Sequence, residues 1–335
     1  MQIYKGESIA ETFTSWGCGC SFKSKTIAPQ LVKYKFDLYN ILDLQKAKKL
    51  AVNLSALIDE TVTFSDKVKG ASFEISISRN ERELIEIKHF GGVIRASAPF
   101  SIMFGVDTDG ENVLQSLEKL PHLLIAGTTG SGKSVALNSY IMELCCYNSV
   151  DDLGMLLIDL KQTELSIFER LPHLIHNIVC EKEEAENVLA WMVKEMEQRY
   201  KTMKEAGIFN YSDKFKTICI VIDELSDLVL QSPKSKDYLV RILQKARACG
   251  IFVICATQSP RAKVLDGLML ANLPSRIALT CANMRESMLV LGHKGAEQLQ
   301  GNGDAIIKLN GTTEEKRIQI PFISKLDILK LLRKR

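Results

Sequence analysis

Residues 123–134, with the sequence LLIAGTTGSGKS, constrain the fold of this chain more than any other segment. An apolar run of strand length precedes the glycines, and apolar residues at helical spacing follow Lys133. Glycine adopts positive φ angles readily, so the amide groups of such a loop can converge on phosphate oxygens at the positive end of the next helix. The segment therefore predicts a phosphate-binding loop between a buried strand and a helix.

The loop matches the pattern G-x-x-x-x-G-K-[ST] from Gly127 onward. We expect Gly127, Gly130 and Gly132 to take positive φ angles. Lys133 is predicted to reach the β- and γ-phosphates of ATP, and the Ser134 hydroxyl to coordinate Mg²⁺. The pattern predicts these nucleotide-binding residues: Gly127, Thr128, Thr129, Gly130, Ser131, Gly132, Lys133, Ser134 and Val135.

An acidic pair follows another apolar run further along the chain. Residues 218–222 (ICIVI) deliver Asp223 and Glu224 to the carboxyl end of a predicted strand, where a Walker B element lies in phosphate-loop enzymes. We expect Asp223 to hold the Mg²⁺ hydration shell and Glu224 to polarise the water that attacks the γ-phosphate. Because such a pair is common after strands, this assignment depends on the phosphate loop upstream.

A glutamine follows the next predicted strand, residues 251–256. The Gln258 amide can hydrogen-bond both the attacking water and the γ-phosphate, and can thereby report which nucleotide is bound. For this residue alone, a polar side chain that starts a loop is the better interpretation. Together with the motifs upstream, Gln258 joins Lys133 and Glu224 in the predicted catalytic set.

Length and charge limit what these motifs can belong to. A chain of 335 residues exceeds one average domain, which favours a large α/β domain with a smaller companion. The net charge of +3, from 43 basic and 40 acidic residues, neither demands nor excludes nucleic acid as a partner. Apolar runs reach only strand length, and residues 1–16 lack the apolar core of a signal peptide. We therefore expect a cytoplasmic protein without a membrane segment.

The nine cysteines favour a reducing compartment, because most of them lie within apolar elements and their number is odd. Cys18 and Cys20 are separated by one residue, whereas the adjacent Cys145 and Cys146 lie within a predicted helix. No second pair or nearby histidine completes a zinc ligand set, so we interpret Cys18 and Cys20 as part of a flexible loop.

The hydrophobic pattern predicts four segments. Residues 1–26 lack sustained periodicity and are interpreted as an N-terminal arm. Residues 27–98 are predicted to form a small α/β domain, and residues 99–320 a large domain with a central, mostly parallel sheet. Residues 321–335 are interpreted as a basic tail.

Turn and cap signals place the elements within these segments. The small domain is predicted to contain an edge strand at 30–38, a helix at 44–58 with Asp43 as its cap, strands at 60–64 and 72–78, and a turn at Lys69-Gly70. The large domain is predicted to contain a hairpin around 107–110, strands at 154–159 and 216–222, helices at 183–206 and 236–248, and a hairpin at 304–320.

These sequence blocks resemble the motor domain of the FtsK/SpoIIIE family of DNA translocases. The resemblance covers most of the chain and weakens before Phe100, where the layout of a small α/β domain is similar. The matching blocks are the phosphate loop with its strand, LID at 157–159 with Lys161, VIDE at 221–224, KARA at 245–248, ATQ at 256–258, PSR at 274–276, and GAE at 295–297 through Gly303 and Asp304.

The resemblance implies a RecA-like P-loop ATPase core that uses ATP and Mg²⁺ in a hexameric ring and threads double-stranded DNA through the pore. Arg247 matches the arginine finger of the family, which reaches the γ-phosphate bound by the adjacent subunit. A rigid cation there stabilises the charge of the transition state. The alternative interpretation of Arg247 is a solvated arginine at a helix end.

The DNA-contacting loops of the family follow the strand before Gln258 and the strand at 276–280. Ser259 stands where the family usually has arginine, and Met284 and Met288 occupy positions where basic residues are expected. Nearby basic residues can contact phosphates without sequence preference. The predicted DNA-contacting residues are Thr257, Ser259, Arg261, Lys263 and Arg285.

The membrane anchor and the winged-helix domain of the family are not expected in this chain, which is similar to compact soluble relatives encoded by phages, plasmids or integrative elements. Three functions stay open: a double-stranded DNA translocase, a related ring ATPase that moves single-stranded DNA or protein, and a nucleotide-switched DNA-binding scaffold. The set of Lys133, Asp223, Glu224, Gln258 and Arg247 favours the motors, because a pure switch does not need all five.

Overall fold

The computed structural model describes residues 4–65, 70–79, 85–312 and 314–333. Contacts divide the chain into two compact units, each with its own hydrophobic core. The smaller unit comprises the described residues from 4 to 79 together with 106–112, and the larger unit comprises 85–105 and the described residues from 113 to 333. This grouping differs from the predicted boundaries at residues 26 and 98.

The smaller unit is an antiparallel sheet with two helices in the part of the chain that the structure describes. Its strands lie in the order β1-β2-β4-β3, and each is antiparallel to its neighbours. Its elements are α1 (Gly6–Ser15), β1 (Cys20–Ile27), β2 (Leu31–Leu38), α2 (Leu44–Ile58), β3 (Val62–Ser65) and β4 (Ser72–Ser78).

The interpretation of residues 1–26 as an arm is wrong. Helix α1 buries Phe13 completely, and the ring of Phe13 stacks on Phe36 of β2 with 6.2 Å between the centroids. Strand β1 pairs with β2 along its length, but its register shifts between Phe22 and Ser24. A bulge of this kind breaks the alternation of apolar and polar residues, which is why the sequence pattern did not indicate a strand. Strand β2 is consequently an interior strand, not the predicted edge strand.

The other predictions for the smaller unit are close to the structure. The helix at 44–58 is confirmed, and strands β3 and β4 lie where strands were expected. Asp43 makes no side-chain capping bond; instead, the Asn40 side chain accepts the amide of Leu42 in the short 3₁₀ turn before α2. Lys69 of the predicted turn lies outside the described residues.

The larger unit alternates strands and helices, and the two strands that flank residues 108–111 extend by one or two residues into the segment 106–112 of the smaller unit. Its elements are α3 (Gly91–Arg95), β5 (Ser101–Asp107), β6 (Asn112–Ser116), β7 (His122–Ala126), α4 (Lys133–Tyr147), β8 (Leu153–Ile158), α5 (Lys182–Ala206), β9 (Thr217–Ile222), α6 (Leu225–Gln231), α7 (Pro233–Lys245), β10 (Ile251–Thr257), α8 (Gly267–Ala271), β11 (Ser275–Ala278), α9 (Met284–Leu291), β12 (Asp304–Lys308), β13 (Lys316–Gln319) and α10 (Lys325–Arg333).

A nine-stranded sheet spans these described elements in the order β6-β5-β13-β12-β11-β7-β10-β9-β8. The run from β11 to β8 is parallel, whereas β12 is antiparallel to both β11 and β13. Every residue of β7, β8, β9 and β10 is buried. Strands covered on both faces read as continuous apolar runs, which is why the sequence identified them. The structure confirms the α/β class with a mostly parallel sheet.

The helix ends in the structure agree with the predicted ends in some helices and differ from them in others. Gly207 ends α5 with a φ of 65°, and the methionine stripe of α5 is core, since Met192, Met196 and Met203 are buried. Helix α7 ends at Lys245, earlier than predicted, and a 3₁₀ turn at Ala246–Cys249 follows. Helix α10 packs Ile328 into the large core, so the predicted tail is part of the larger unit.

None of the helices in the described ranges combines the length and the apolar character that crossing a membrane requires.

Candidate active site

The carboxyl ends of three adjacent parallel strands bring the predicted site together. The phosphate loop follows β7, Asp223 and Glu224 follow β9, and Gln258 follows β10. The strands are in register, with Ala126 paired to Thr257 at their ends. In open α/β sheets this edge is where ligands bind.

The glycines of the loop serve two different purposes. Gly130 and Gly132 have φ angles of 81° and 106°, as predicted for a loop that folds back on itself. The expectation of a positive φ for Gly127 is wrong, because this residue is absent from the positive-φ positions of the described chain. A Cβ at Gly127 would lie 2.6 Å from Ser131 Oγ, so close packing requires glycine there.

Distant segments hold the loop in place. The Thr128 amide and hydroxyl both donate to the carbonyl of Thr280, at 2.9 and 3.0 Å, and the Gly127 amide donates to the carbonyl of Thr257 at 3.1 Å. The Gly303 amide donates to the carbonyl of Ser131 at 2.8 Å. Sequence reasoning missed Thr280 as a support of the loop, because a partner 152 positions away leaves no local signal.

Lys133 and Asp223 form a buried ion pair. The Lys133 ammonium donates to Asp223 Oδ1 and to the Asp223 carbonyl, both at 2.8 Å, and each side chain is at most 3% exposed. Burial raises the pKa of Asp223 above its ordinary value, the positive charge of Lys133 opposes this, and Asp159 adds to it. The two residues predicted for phosphate and for Mg²⁺ are therefore in direct contact. Ser134 follows in the first turn of α4 and is partly exposed, as is Val135.

Glu224 is bound to the end of the neighbouring strand. Its Oε1 accepts the Thr257 hydroxyl at 2.6 Å and the Ser226 amide at 3.3 Å, and its Oε2 accepts the Gln258 amide at 2.8 Å. Glu224 also caps helix α6 through the Ser226 bond. The predicted water-polarising carboxylate is thus tied to β10.

The Gln258 side chain contacts the phosphate loop. Its Oε1 accepts the Thr129 hydroxyl at 3.1 Å. The structure therefore brings together Gln258 and the loop, the two elements that the sequence placed around a γ-phosphate. Ser131 completes the loop with a buried hydroxyl that has no hydrogen-bond partner among the described residues. A site for the phosphate chain of a nucleotide is expected to offer such groups: the Ser131 hydroxyl, the loop amides at the positive-φ glycines and the buried Lys133 ammonium.

Arg247 lies at the opposite edge of the sheet. It is exposed, it precedes β10, and its guanidinium donates to the carbonyl of Glu118 at 3.0 and 3.2 Å, before β7. Strand β10, with 7 residues, separates Arg247 from Gln258. A strand of that length spans about 20 Å. The structure therefore does not bring Arg247 to the phosphate loop of the same chain.

The predicted DNA-contacting residues divide into exposed and buried positions. Arg261 and Lys263 are exposed in the segment after β10, Arg285 is exposed on α9, and Ser259 is partly exposed. Thr257 is fully buried, and its hydroxyl donates to Glu224. This burial removes Thr257 from the DNA-contacting set.

The fold and this site define the class of the protein as a P-loop ATPase with a RecA-like core preceded by a small α/β unit. The family model described as "FtsK/SpoIIIE family" matches residues 91–217 and 210–262. The chain belongs to the FtsK/SpoIIIE family, which confirms the resemblance seen in the sequence.

Curated relatives carry the name DNA translocase FtsK. The protein of Corynebacterium efficiens is 33% identical over 96% of this chain and 37% of its own length. The protein of Campylobacter jejuni is 41% identical over 75% of this chain and 28% of its own length. The chain thus spans well under half of the length of these relatives.

Solved structures share the fold. The pCW3 conjugation coupling protein TcpA, in a monomer form with ATPγS, aligns over 97% of this chain and 98% of that chain with a TM-score of 0.68 and 21% identity. The cytoplasmic domain of the type VII secretion ATPase EccC from Thermomonospora curvata aligns over 70% of this chain and 31% of that chain, with a TM-score of 0.62 and 24% identity.

Proposed function

We propose that this chain is an ATP-hydrolysing motor that moves double-stranded DNA as part of a homo-oligomeric ring, which we expect to be a hexamer. The observation that carries the proposal is the shared sheet edge: the phosphate loop, Glu224 and Gln258 adjoin an exposed basic segment that contains Arg261 and Lys263. Membership of a family with relatives named DNA translocase supports it.

In the proposed mechanism, each residue of the nucleotide site has its own role. ATP supplies the phosphoryl group, and Mg²⁺ neutralises charge on its phosphates when both are bound. Lys133 and the loop amides hold the phosphate chain, and Ser134 and Asp223 are the residues suited to the metal and its water shell. Glu224 accepts the proton of the attacking water, and Gln258 orients that water from the neighbouring strand.

The ring assignment rests on Arg247. Since this arginine is exposed at the edge opposite the phosphate loop, it can serve as a finger only toward another copy of the chain. A guanidinium supplied from a neighbour stabilises the charge that develops during phosphoryl transfer. Head-to-tail contacts of this kind close into rings.

The DNA assignment rests on exposed cations. Arg261, Lys263 and Arg285, with Ser259 beside them, are placed to contact phosphates, which gives binding without sequence preference. The nine cysteines are thiols in the structure, which favours a reducing compartment and hence the cytoplasm.

The test compares ATP hydrolysis without DNA, with single-stranded DNA and with double-stranded DNA. We expect double-stranded DNA to give the largest stimulation, and Lys133→Ala to abolish turnover as the control. Stimulation by single-stranded DNA alone would favour the conjugation-type alternative. DNA binding with no stimulated turnover would favour the scaffold, and turnover that ignores DNA would contradict the proposal.

A further inference from the structure

A hydrogen-bond cluster joins Glu224 to the segment that carries the proposed DNA contacts. Thr257 donates to Glu224 Oε1 at 2.6 Å and lies 3.0 Å from the hydroxyl of Ser226. The Ser226 hydroxyl in turn donates to the carbonyl of Ser259 at 3.0 Å, and the Ser259 amide approaches Thr257 Oγ1 at 3.3 Å. The side chains of Thr257 and Ser226 therefore link the carboxylate to the first residue of the segment 259–263.

The cluster limits what Glu224 can do. A carboxylate oxygen offers about two acceptor positions. Oε1 uses both, for Thr257 and Ser226, whereas Oε2 uses one for the Gln258 amide. Oε1 has no position left for a water molecule while both donors are in place, and the three bonds together fix the direction in which the remaining position of Oε2 points. Any movement of Ser259 that pulls on Thr257 or Ser226 changes the orientation of this carboxylate.

We propose that Thr257 is a positioning residue that restrains Glu224 until DNA engages the segment 259–263. This inference rests on the proposed function. The part of the restraint that depends on a side chain is the bond from the Thr257 hydroxyl to Oε1, which is buried and shielded from competing water. DNA contact at Arg261 or Lys263 shifts Ser259, loosens the cluster and lets Glu224 turn toward the attacking water, whose proton it then accepts. The stimulation of hydrolysis by DNA then depends on the hydrogen bonds at the end of β10.

Thr257→Val tests this because valine keeps the shape of threonine and removes the hydroxyl. We expect hydrolysis without DNA to rise at least about threefold, and the rate with saturating DNA to stay within about twofold of the unchanged protein. The stimulation ratio therefore falls while the KM for ATP is unchanged. Thr257→Ser, which restores a hydroxyl, should restore the ratio.

Two further variants complete the design. Ser101→Ala is the control, because Ser101 is also buried but its hydroxyl donates to the carbonyl of Ala98 at 2.6 Å at the start of β5, which is not a neighbour of β9 or β10 in the sheet; its ratio should not change. Ser226→Ala removes the link to Ser259 from the other side and should also lower the ratio, which keeps the test valid if Thr257→Val does not fold.

The outcomes separate this inference from the proposed function. If the unchanged protein responds to double-stranded DNA but Thr257→Val keeps the full stimulation ratio, the restraint does not exist and the translocase proposal stands. If Thr257→Val lowers the rates of hydrolysis with and without DNA equally and also lowers the melting temperature, Thr257 is only a structural residue and the inference is overturned. If double-stranded DNA does not change ATP hydrolysis by the unchanged protein, the proposed function itself is refuted.

Discussion

Lys133 and Asp223 show how much of the site depends on two buried charges. Each side chain is at most 3% exposed, and they are bonded to each other at 2.8 Å. Burying two ions costs free energy that their attraction only partly offsets, so the pair itself adds little net stability. Removing one partner is far more costly, because it leaves the other charge buried without compensation.

We therefore expect Lys133→Ala to lose ATP binding and to lower the free energy of unfolding by about 3 kcal/mol. Urea unfolding and ATP titration measure the two effects. The control is Lys23→Ala, which breaks an ion pair with Asp37 whose side chains are 50% and 41% exposed. Exposed pairs contribute less than about 1 kcal/mol. A Lys133→Ala protein as stable as the Lys23→Ala protein would refute the buried-pair account.

Residue-level patterns predicted the catalytic edge well but not its supports. The glycines, Lys133 and the acidic pair carry a local pattern that the chemistry of phosphate binding demands. Thr257 carries no such pattern, and its burial against Glu224 follows only from the pairing of β9 with β10. The same holds for Arg247, whose position at the far edge of the sheet follows from where β10 begins.

At the scale of elements, helix α4 carries both the end of the phosphate loop and a buried acid. Glu143 accepts the Met103 amide at 2.6 Å and the Ser139 hydroxyl at 3.1 Å, and burial raises its pKa from 4.5 to about 8. At the start of β7, burial lowers the pKa of His122 from 6.5 to about 3. His122 on the strand before the loop and Glu143 on the helix after it are therefore both mostly uncharged at neutral pH.

Glu143 and His122 have opposite effects on the stability of the fold in acid. Between pH 4.5 and 8 the folded protein holds a proton on Glu143 that the unfolded chain releases, so this group lowers stability as pH rises. Between pH 3 and 6.5 the unfolded chain binds a proton on His122 that the folded protein does not, so this group raises stability as pH rises. Of these two, only Glu143 acts above pH 6.5.

Glu143→Gln keeps the shape of the side chain and removes the titration. Each pH unit corresponds to about 1.4 kcal/mol, so we expect the unchanged protein to lose roughly 2 kcal/mol between pH 6.5 and 8 that the variant keeps. Urea unfolding at both pH values measures this. Glu183→Gln, at a side chain that is 71% exposed, should behave as the unchanged protein. A parallel loss in both variants would show that Glu143 is ionised in the fold.

Sequence reasoning was strongest for elements whose burial is uniform. The strands β7 to β10 are apolar throughout, and α5 has a continuous stripe ended by Gly207, so their patterns are complete. Strand β1 was missed because its bulge interrupts the alternation, and the end of α7 was misplaced because a 3₁₀ turn continues the helical pattern through Cys249. Local periodicity does not record such irregularities.

At the scale of the whole molecule, the parallel sheet separates two parts of one proposed site. The phosphate loop, Glu224 and Gln258 lie at the carboxyl edge, and Arg247 lies at the amino edge. No hinge within β10 can join these edges, because the strand is paired on both sides by β7 and β9. We therefore expect a second copy of the chain to complete the proposed site, and an isolated chain to bind ATP but hydrolyse it poorly.

Mixing two inactive variants tests this claim most directly. Arg247→Ala should bind ATP without turnover, and Lys133→Ala should keep its finger without binding ATP. In an equal mixture, about a quarter of sites pair an intact loop with an intact finger, so double-stranded DNA-stimulated hydrolysis should recover to roughly that fraction of the unchanged protein. Either variant mixed with the double variant should stay inactive. An equal mixture that also stays inactive, although the variants assemble together, would contradict a site shared between chains.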